Sequence, residues 1–280
     1  MVCRAVLEYV ARLVGKGGPM ITLDQMLADG APIAISISGG KDSDAMTWEL
    51  VERFAGKNPM ALIHADLGRA ELKATPAHVQ ELARATGLAL HVVAHSKFDL
   101  LDGIRNRMKT RPEVPPWPSA KNRQCTSDWK RGPISKWLRN QYPTGNVICA
   151  MGLRADESPA RAKKPVAKLR ADCCARHRTV FDWLPIHDWT LPHVWARLEG
   201  KPRHEAYGRG NERVSCAMCI LACIGDLRNG ANQDPELFQA YCDVEIESGF
   251  SFRDRFWLGT VAPELLRADQ VAFYESKKRI

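Results

Sequence analysis

The stretch Ile33-Ala34-Ile35-Ser36-Ile37-Ser38-Gly39-Gly40-Lys41-Asp42-Ser43 decides how this chain folds. Its first five residues form a short apolar run rich in β-branched isoleucine, the composition of a strand buried on both faces. Two glycines follow, which allow a positive φ and a close approach of the backbone to a ligand. From Ser43 to about Phe54 the pattern is helical. A glycine turn between a strand and a helix start aims backbone amides at an anion, and Ser38, Ser43 and Lys41 add two hydroxyls and a positive charge. The hexapeptide Ser38–Ser43 is therefore read as a phosphate cradle. It is not a Walker A loop, whose four-residue spacer and Gly-Lys-Ser/Thr ending are absent here.

Working outward, strand-like runs at Met60 to Ala65, Leu88 to Ala94 and Asn146 to Ala150 alternate with helical patterns at about Thr75 to Thr86 and Phe98 to Met108. This alternation predicts an α/β fold, an open, mostly parallel sheet with helices on both faces. Upstream, Val6, Leu7, Val10, Leu13 and Val14 predict a leading helix, and a second short helix covers about 22 to 29. The proline-rich stretch Arg111 to Asn122, around Trp117, cannot be a regular element and is read as a lid or specificity loop. Arg154 to Arg178 is irregular and strongly basic, with Arg161, Lys163, Lys164, Lys168, Arg170 and Arg176 between its ends. It is either a solvated charge run or a contact for a polyanion. The expected organisation is N-terminal helices at 1–30, a nucleotide-binding α/β domain at 31–204, and a small helical, cysteine-rich subdomain at 205–280.

With 280 residues, 45% hydrophobic and 26% charged, the chain is able to bury a full core. No apolar run approaches the roughly 18 residues of a membrane span. The start lacks the basic-then-apolar layout of a signal peptide, so a cytoplasmic location with no membrane partner is expected. Nine cysteines, an odd number, then read as thiols available for metal or catalysis. The net charge of +8 favours a polyanionic partner, either DNA or RNA or simply a multiply charged nucleotide.

Several motifs, in order along the chain, carry a family resemblance. Ser38–Ser43 resembles the SGGxDS loop of the PP-loop ATP pyrophosphatases. His64-Ala65-Asp66-Leu67-Gly68 with Glu71, Cys125 with Lys130 and Pro133, and Gly152-Leu153-Arg154-Ala155-Asp156-Glu157-Ser158 with Arg161 resemble segments of the phosphoadenosine phosphosulfate (PAPS) reductase family. Leu184 to Thr190 with Val194-Trp195, and Tyr207 to Gly210 before a Cys-x-x-Cys, extend the resemblance. It implies a five-stranded sheet of the adenine nucleotide α-hydrolase type, with ATP or a related adenine nucleotide at the carboxyl ends of the strands. Carried over, Ser38, Gly39, Gly40, Lys41, Asp42, Ser43, His64 and Gly152 line the nucleotide site, and Arg154 and Arg161 face its anion. Glu157 is read as an ion pair that positions Arg154. Lys41, Asp66, Arg154 and Arg161 are the candidate catalytic residues. Asp66 either helps hold Mg2+ or caps the turn that follows it.

The sequence departs from the family's thioredoxin-dependent reductases, whose Glu-Cys-Gly-x-His segment is missing. Cys242 stands in Tyr241-Cys242-Asp243 and reads as a core residue. Cys216, Cys219 and Cys223, in a Cys-x2-Cys-x3-Cys run, join Cys125 to supply four thiolates, enough for a [4Fe-4S] cluster or for structural zinc. This pattern resembles the iron–sulfur sulfurtransferase of DNA phosphorothioation systems. The resemblance implies an ATP-dependent sulfurtransferase that adenylates an acceptor, with a cysteine desulfurase or another donor supplying sulfur. The alternatives are a reductase of adenylylsulfate or its 3′-phosphate, and a non-catalytic nucleotide-binding regulator. Cys173 and Cys174 are either sulfur carriers or plain loop thiols.

Overall fold

The computed structural model describes residues 21–277; the predicted leading helix and Cys3 lie outside them. The strands are β1 (Ile33–Ile37), β2 (Met60–Asp66), β3 (Ala89–Ala94), β4 (Gly145–Met151), β5 (Ala167–Leu169) and β6 (Arg178–Trp183). The helices are α1 (Leu23–Ala28), α2 (Lys41–Phe54), α3 (Thr75–Thr86), α4 (Leu100–Thr110), α5 (Gly132–Gln141), α6 (Pro159–Ala162), α7 (Leu191–Arg197), α8 (Ile224–Gln233), α9 (Pro235–Ser248) and α10 (Ala268–Lys277). Shorter helical turns include Gln124–Thr126, which runs into a π-helical segment, Ser127–Arg131.

The chain divides into two compact units. One holds the residues up to His64, Val79–Val93 and Ile134–Pro202. The other holds Ala65–His78, Ala94–Pro133 and the residues from Arg203 onward. The second unit thus draws two excursions from the middle of the chain, besides the carboxy-terminal region that the sequence sets apart at 205.

The sheet of the first unit has the order β3-β2-β1-β4-β6-β5. Strand β1 runs parallel to both β2 and β4, with Ile33 opposite Met60 and Ile148, and β4 runs parallel to β6. Ile33, Ala34, Ile35 and Ile37 are all buried, which is why the strand reads as an apolar run instead of an alternation. Ile33, Ile35 and Ile37 share a core with Leu62, Ile148, Met46 and Leu50. The chain leaves β1 toward β2 on one side and returns as β4 on the other. The carboxyl ends of β1 and β4 therefore meet at a topological switch point, where open α/β sheets bind ligands.

The sheet has six strands, one more than the family resemblance implies. The addition, β5, lies within the basic stretch expected to be irregular and pairs antiparallel with β6, Ala167 opposite Trp183 and Leu169 opposite Phe181. A three-residue strand is too short to leave an alternation in the sequence, and its pairing partner is a later segment.

In the second unit, Leu101, Phe238 and Tyr241 belong to one core. The stretch 111–122 has no regular element, yet it is fastened, contrary to the lid reading: Trp117 is buried, stacks on Tyr241 at 6.0 Å and donates from Nε1 to the Phe250 carbonyl at 3.2 Å. Cys242, on α9, is fully buried in the same core. One turn further along α9, the buried Glu245 carboxylate accepts the amides of Phe252 (2.6 Å) and Leu258 (2.8 Å) and the hydroxyl of Tyr274 (2.7 Å). A single side chain thereby ties the segment after α9 to the helix.

His204 is also buried in this unit. Its Nδ1 accepts the Ala206 amide at 3.1 Å, its Nε2 lies 3.2 Å from Thr75 Oγ1, and its ring meets that of His78 at 5.2 Å. Burial, with the neighbouring His78, lowers its pKa from 6.5 to about 4. The unfolded chain therefore takes up this proton first on acidification, so the stability contributed by the neutral ring is present above pH 6.5 and lost as pH falls from 6.5 toward 4. Urea midpoints measured across that range should decline for the wild type, and His204→Gln should flatten the decline.

Candidate functional site

The cradle forms because the glycines after β1 permit a turn that other residues would strain. Gly39 takes a φ of +73°, and Gly40 becomes the N-cap of α2 with no side chain to cap it, so the amides at the helix start are offered to a ligand. Ser43 Oγ donates to the Gly40 carbonyl at 2.8 Å and accepts the Ser38 amide at 3.2 Å, which folds the loop back on its own helix. Lys41 is buried, with Nζ 3.8 Å from Asp42 Oδ2. His64, at the end of β2 and in register with Ile37, places Nδ1 3.4 Å from the Ile37 carbonyl.

The segment after β4 closes on this loop. A Cβ on Gly152 would stand 2.8 Å from the Asp42 carbonyl oxygen and 2.9 Å from the Ser43 nitrogen, so only glycine permits the approach. Arg154 then reaches across, with Nε donating to Asp42 Oδ1 at 2.6 Å and Nη1 paired with Asp156. Burial opposes the Arg154 charge, and the carboxylates of Asp42 and Asp156 outweigh it. Asp156 also accepts the Leu191 amide at 3.2 Å, and the Trp189 carbonyl accepts Arg154 Nη1 at 3.4 Å, which links the clamp to the start of α7.

These contacts revise three roles. Arg154, expected to face the anion, is 4% exposed and holds the cradle's Asp42. Asp42, expected among the nucleotide contacts, is its partner. Glu157 accepts the Arg154 backbone amide at 3.0 Å and pairs with Arg161, so it positions the second arginine, not the guanidinium of the first. Arg161 remains partly exposed. Asp66, in the second unit, accepts the Gly68 amide at 2.7 Å and thus caps the turn after β2.

The second unit holds the four cysteines of the expected cluster. Cys216 is fixed by an isolated antiparallel bridge to Glu71, and the Ala217 amide donates to the Ala70 carbonyl at 2.8 Å. Cys125 sits just before the π-helical segment that carries Lys130, and the Lys130 charge acts on its thiol. Burial pushes the Cys216 thiol up to about 12 and raises Cys125, with Lys130 acting against both. Burial likewise opposes the Lys130 ammonium, but Cys216, Glu71, Cys219 and Cys125 more than offset it and hold the lysine above its ordinary range. The fourth thiol, Cys223, is exposed, N-caps α8, and accepts the Asp226 amide at 3.3 Å. Among the described residues no three His, Cys, Asp or Glu side chains are drawn into a ready-made metal site. The donor chemistry nevertheless fits a thiolate-bound cluster. Cys125, Cys216 and Cys219 act on one another and on one cation, an N–H reaches Cys223, and Lys130 offsets negative charge on the sulfurs.

Lys130 was visible in the sequence only as a motif match; its place among the thiols was not. Cys173 and Cys174 belong to the first unit instead. Cys173 is fully buried, and Cys174 Sγ accepts the Val180 amide at 3.4 Å, so both are built into the turn before β6.

A strand-loop-helix phosphate cradle at the switch point of a parallel sheet defines a nucleotide-binding α/β protein. The family model of the phosphoadenosine phosphosulfate reductase domain matches residues 32–222, and the chain belongs to that family. It is 27% identical over 220 residues to an uncharacterized protein of Methanocaldococcus jannaschii, covering 76% of this chain and 41% of that protein. A second uncharacterized protein of that archaeon is 28% identical over 225 residues, covering 78% and 48%. A 37.8 kDa protein of Escherichia phage 186, from the gpa 5′ region, is 27% identical over 235 residues, covering 67% and 66%. The chain thus spans less than half the length of the two archaeal relatives. Among solved structures, Candida auris phosphoadenylyl-sulfate reductase in a phosphate complex aligns at 15% identity and a TM-score of 0.47, covering 77% of this chain and 96% of that one. The U34-tRNA thiolase NcsA of Methanococcus maripaludis, with its [4Fe-4S] cluster, aligns at 15% and 0.45, covering 88% and 81%.

The Gly152 approach is open to test. Gly152→Ala should overpack the junction, costing about 1–3 kcal/mol of stability in urea unfolding. It should also weaken ATP binding measured by calorimetry at a temperature where the variant remains folded. Unchanged affinity would mean that the cradle does not depend on this contact.

Proposed function

We propose that this chain is an ATP-dependent sulfurtransferase. The Ser38–Ser43 cradle is the observation that carries the reading, since glycine amides, two hydroxyls and Lys41 converge where α2 begins. ATP would enter with Mg2+ as its counterion. An oxygen of the acceptor attacks the α-phosphorus and pyrophosphate leaves, so that a poor leaving group becomes AMP. A sulfur nucleophile then takes the place of the activated oxygen, and AMP departs. Lys41 and Arg161 would bear the charge that develops on the phosphates, while Arg154 and Asp42 keep the loop in place.

Cys125, Cys216, Cys219 and Cys223 would hold a [4Fe-4S] cluster, with zinc as the alternative. When bound, a cluster supplies soft iron and sulfide suited to handling sulfur. The burial of Cys216 means that ligation must displace a proton from a weakly acidic thiol, so metal affinity should rise with pH. The position of Cys242 favours transfer over sulfonucleotide reduction. It is buried inside α9 with its thiol pushed up by burial, a poor place for an attacking sulfur. A nucleic-acid acceptor is supported by the net charge of +8 and by the exposed Lys163, Lys164, Lys168 and Arg176.

Lys41→Ala should weaken ATP binding by roughly 1.5–3 kcal/mol, as expected for a hydrogen bond to a charged group. Turnover should release AMP and pyrophosphate; ADP and phosphate would contradict the assignment. Anaerobic protein should contain iron and sulfide, lose them in Cys216→Ser, and incorporate labelled sulfur into DNA or RNA only with ATP. Binding to that acceptor should weaken with salt, log affinity falling by about 0.7–0.9 per phosphate contact. Sulfite release from adenylylsulfate without such incorporation would replace this reading with the reductase.

A further inference from the structure

The family match ends at residue 222, but the chain beyond it reaches back to the cysteine run. Arg253 lies in the segment between α9 and α10, where it forms an isolated antiparallel bridge with Phe256, the two amides donating at 3.1 and 2.9 Å. Its Nη2 donates to the Ala222 carbonyl at 2.6 Å and to the Cys219 carbonyl at 3.2 Å. Those carbonyls bracket the turn that runs from Cys219 to Cys223, itself closed by the Ala222 amide on Cys219 O at 3.0 Å. The guanidinium also lies 5.2 Å from the ring of Phe256 and 5.7 Å from that of Phe252, and its charge acts on the sulfurs of Cys219 and Cys223.

Two further observations argue that this placement is more than filling. Arg253 Nε is buried without a hydrogen-bond partner, so the hydrogen bonds that the guanidinium makes among the described residues go to the Cys219 and Ala222 carbonyls. The Arg253 turn is itself held from behind. Glu245 accepts the amides of Phe252, immediately before it, and of Leu258, a few residues after it. A continuous set of polar contacts thus runs from α9, through this turn, to the backbone between two candidate ligands.

We propose that Arg253 is a positioning residue that fastens the Cys219–Cys223 turn, with Glu245 fixing the segment that carries it. The consequence for metal rests on the reading of these cysteines as ligands. By donating from Nη2 to both carbonyls, the guanidinium fixes the backbone spacing between Cys219 and Cys223, at a reach one bond longer than that of a lysine ammonium.

The test uses the full chain, free of metal, as wild type, Arg253→Met and Arg253→Lys. Amide hydrogen exchange of residues 216–226 should accelerate about tenfold or more in Arg253→Met, while the amides within α9 and α10 keep their wild-type rates. Cobalt(II) added anaerobically should give thiolate-to-cobalt charge-transfer absorption with wild type. Its apparent affinity should drop about tenfold or more in Arg253→Met and recover only in part in Arg253→Lys. Unchanged exchange at 216–226, or equal acceleration throughout the second unit, would overturn the proposal. Full recovery by lysine would overturn it too, because the reach of the guanidinium would then be unnecessary. If the local exchange effect appears but wild-type protein shows no cobalt–thiolate absorption, the clamp stands and the ligand reading fails.

Discussion

The first unit depends on how closely β4's carboxyl end can approach the start of α2. Gly152 brings one backbone to the other, and Arg154 locks the approach through a buried ion pair with Asp42. Breaking such a pair from one side leaves a charge without compensation in a poorly solvated place. The cradle is thus held by its neighbours as well as by its own sequence. A phosphate loop with mobile amides would have to be ordered by each incoming ligand; one already clamped avoids that cost.

The fold was legible where the chain spells it locally. Ile33–Ile37 and Gly39-Gly40 announce a buried strand and a tight turn, and the observed β1 and α2 follow those residues closely. For the candidate site the sequence offered residues, while the partners of those residues emerged only from the structure. Arg154 was carried over as an anion ligand from its family motif, yet whether a guanidinium faces a ligand or a carboxylate depends on partners far along the chain. The same holds for Glu157, whose side chain serves Arg161. Strand β5 and the π-helical Ser127–Arg131 were invisible for another reason: three to five residues carry too little periodicity to separate them from loop.

The second unit illustrates a different economy of structure. Its core is apolar around Phe238 and Tyr241, but its irregular segments are held by buried or half-buried polar nodes. Glu245 holds the segment before α10, His204 meets Thr75, and Lys130 lies among thiols. Each node joins segments distant in sequence, and each becomes costly if left half-satisfied. That is why the cysteines could be grouped by spacing while the cation among them could be found only in three dimensions.

The antiparallel β5 bears on how the protein behaves in a crowded solution. Without it, β6 would offer a row of unpaired amides and carbonyls, a template for pairing with another chain. The covering strand is only three residues long and carries an exposed lysine, Lys168, at its centre, with Lys163 and Lys164 shortly before it. Short length and lysine are both devices that discourage a further strand from adding to an edge. Part of the chain's positive charge is therefore placed where it discourages edge-to-edge pairing of the sheet, an effect that does not depend on a bound polyanion.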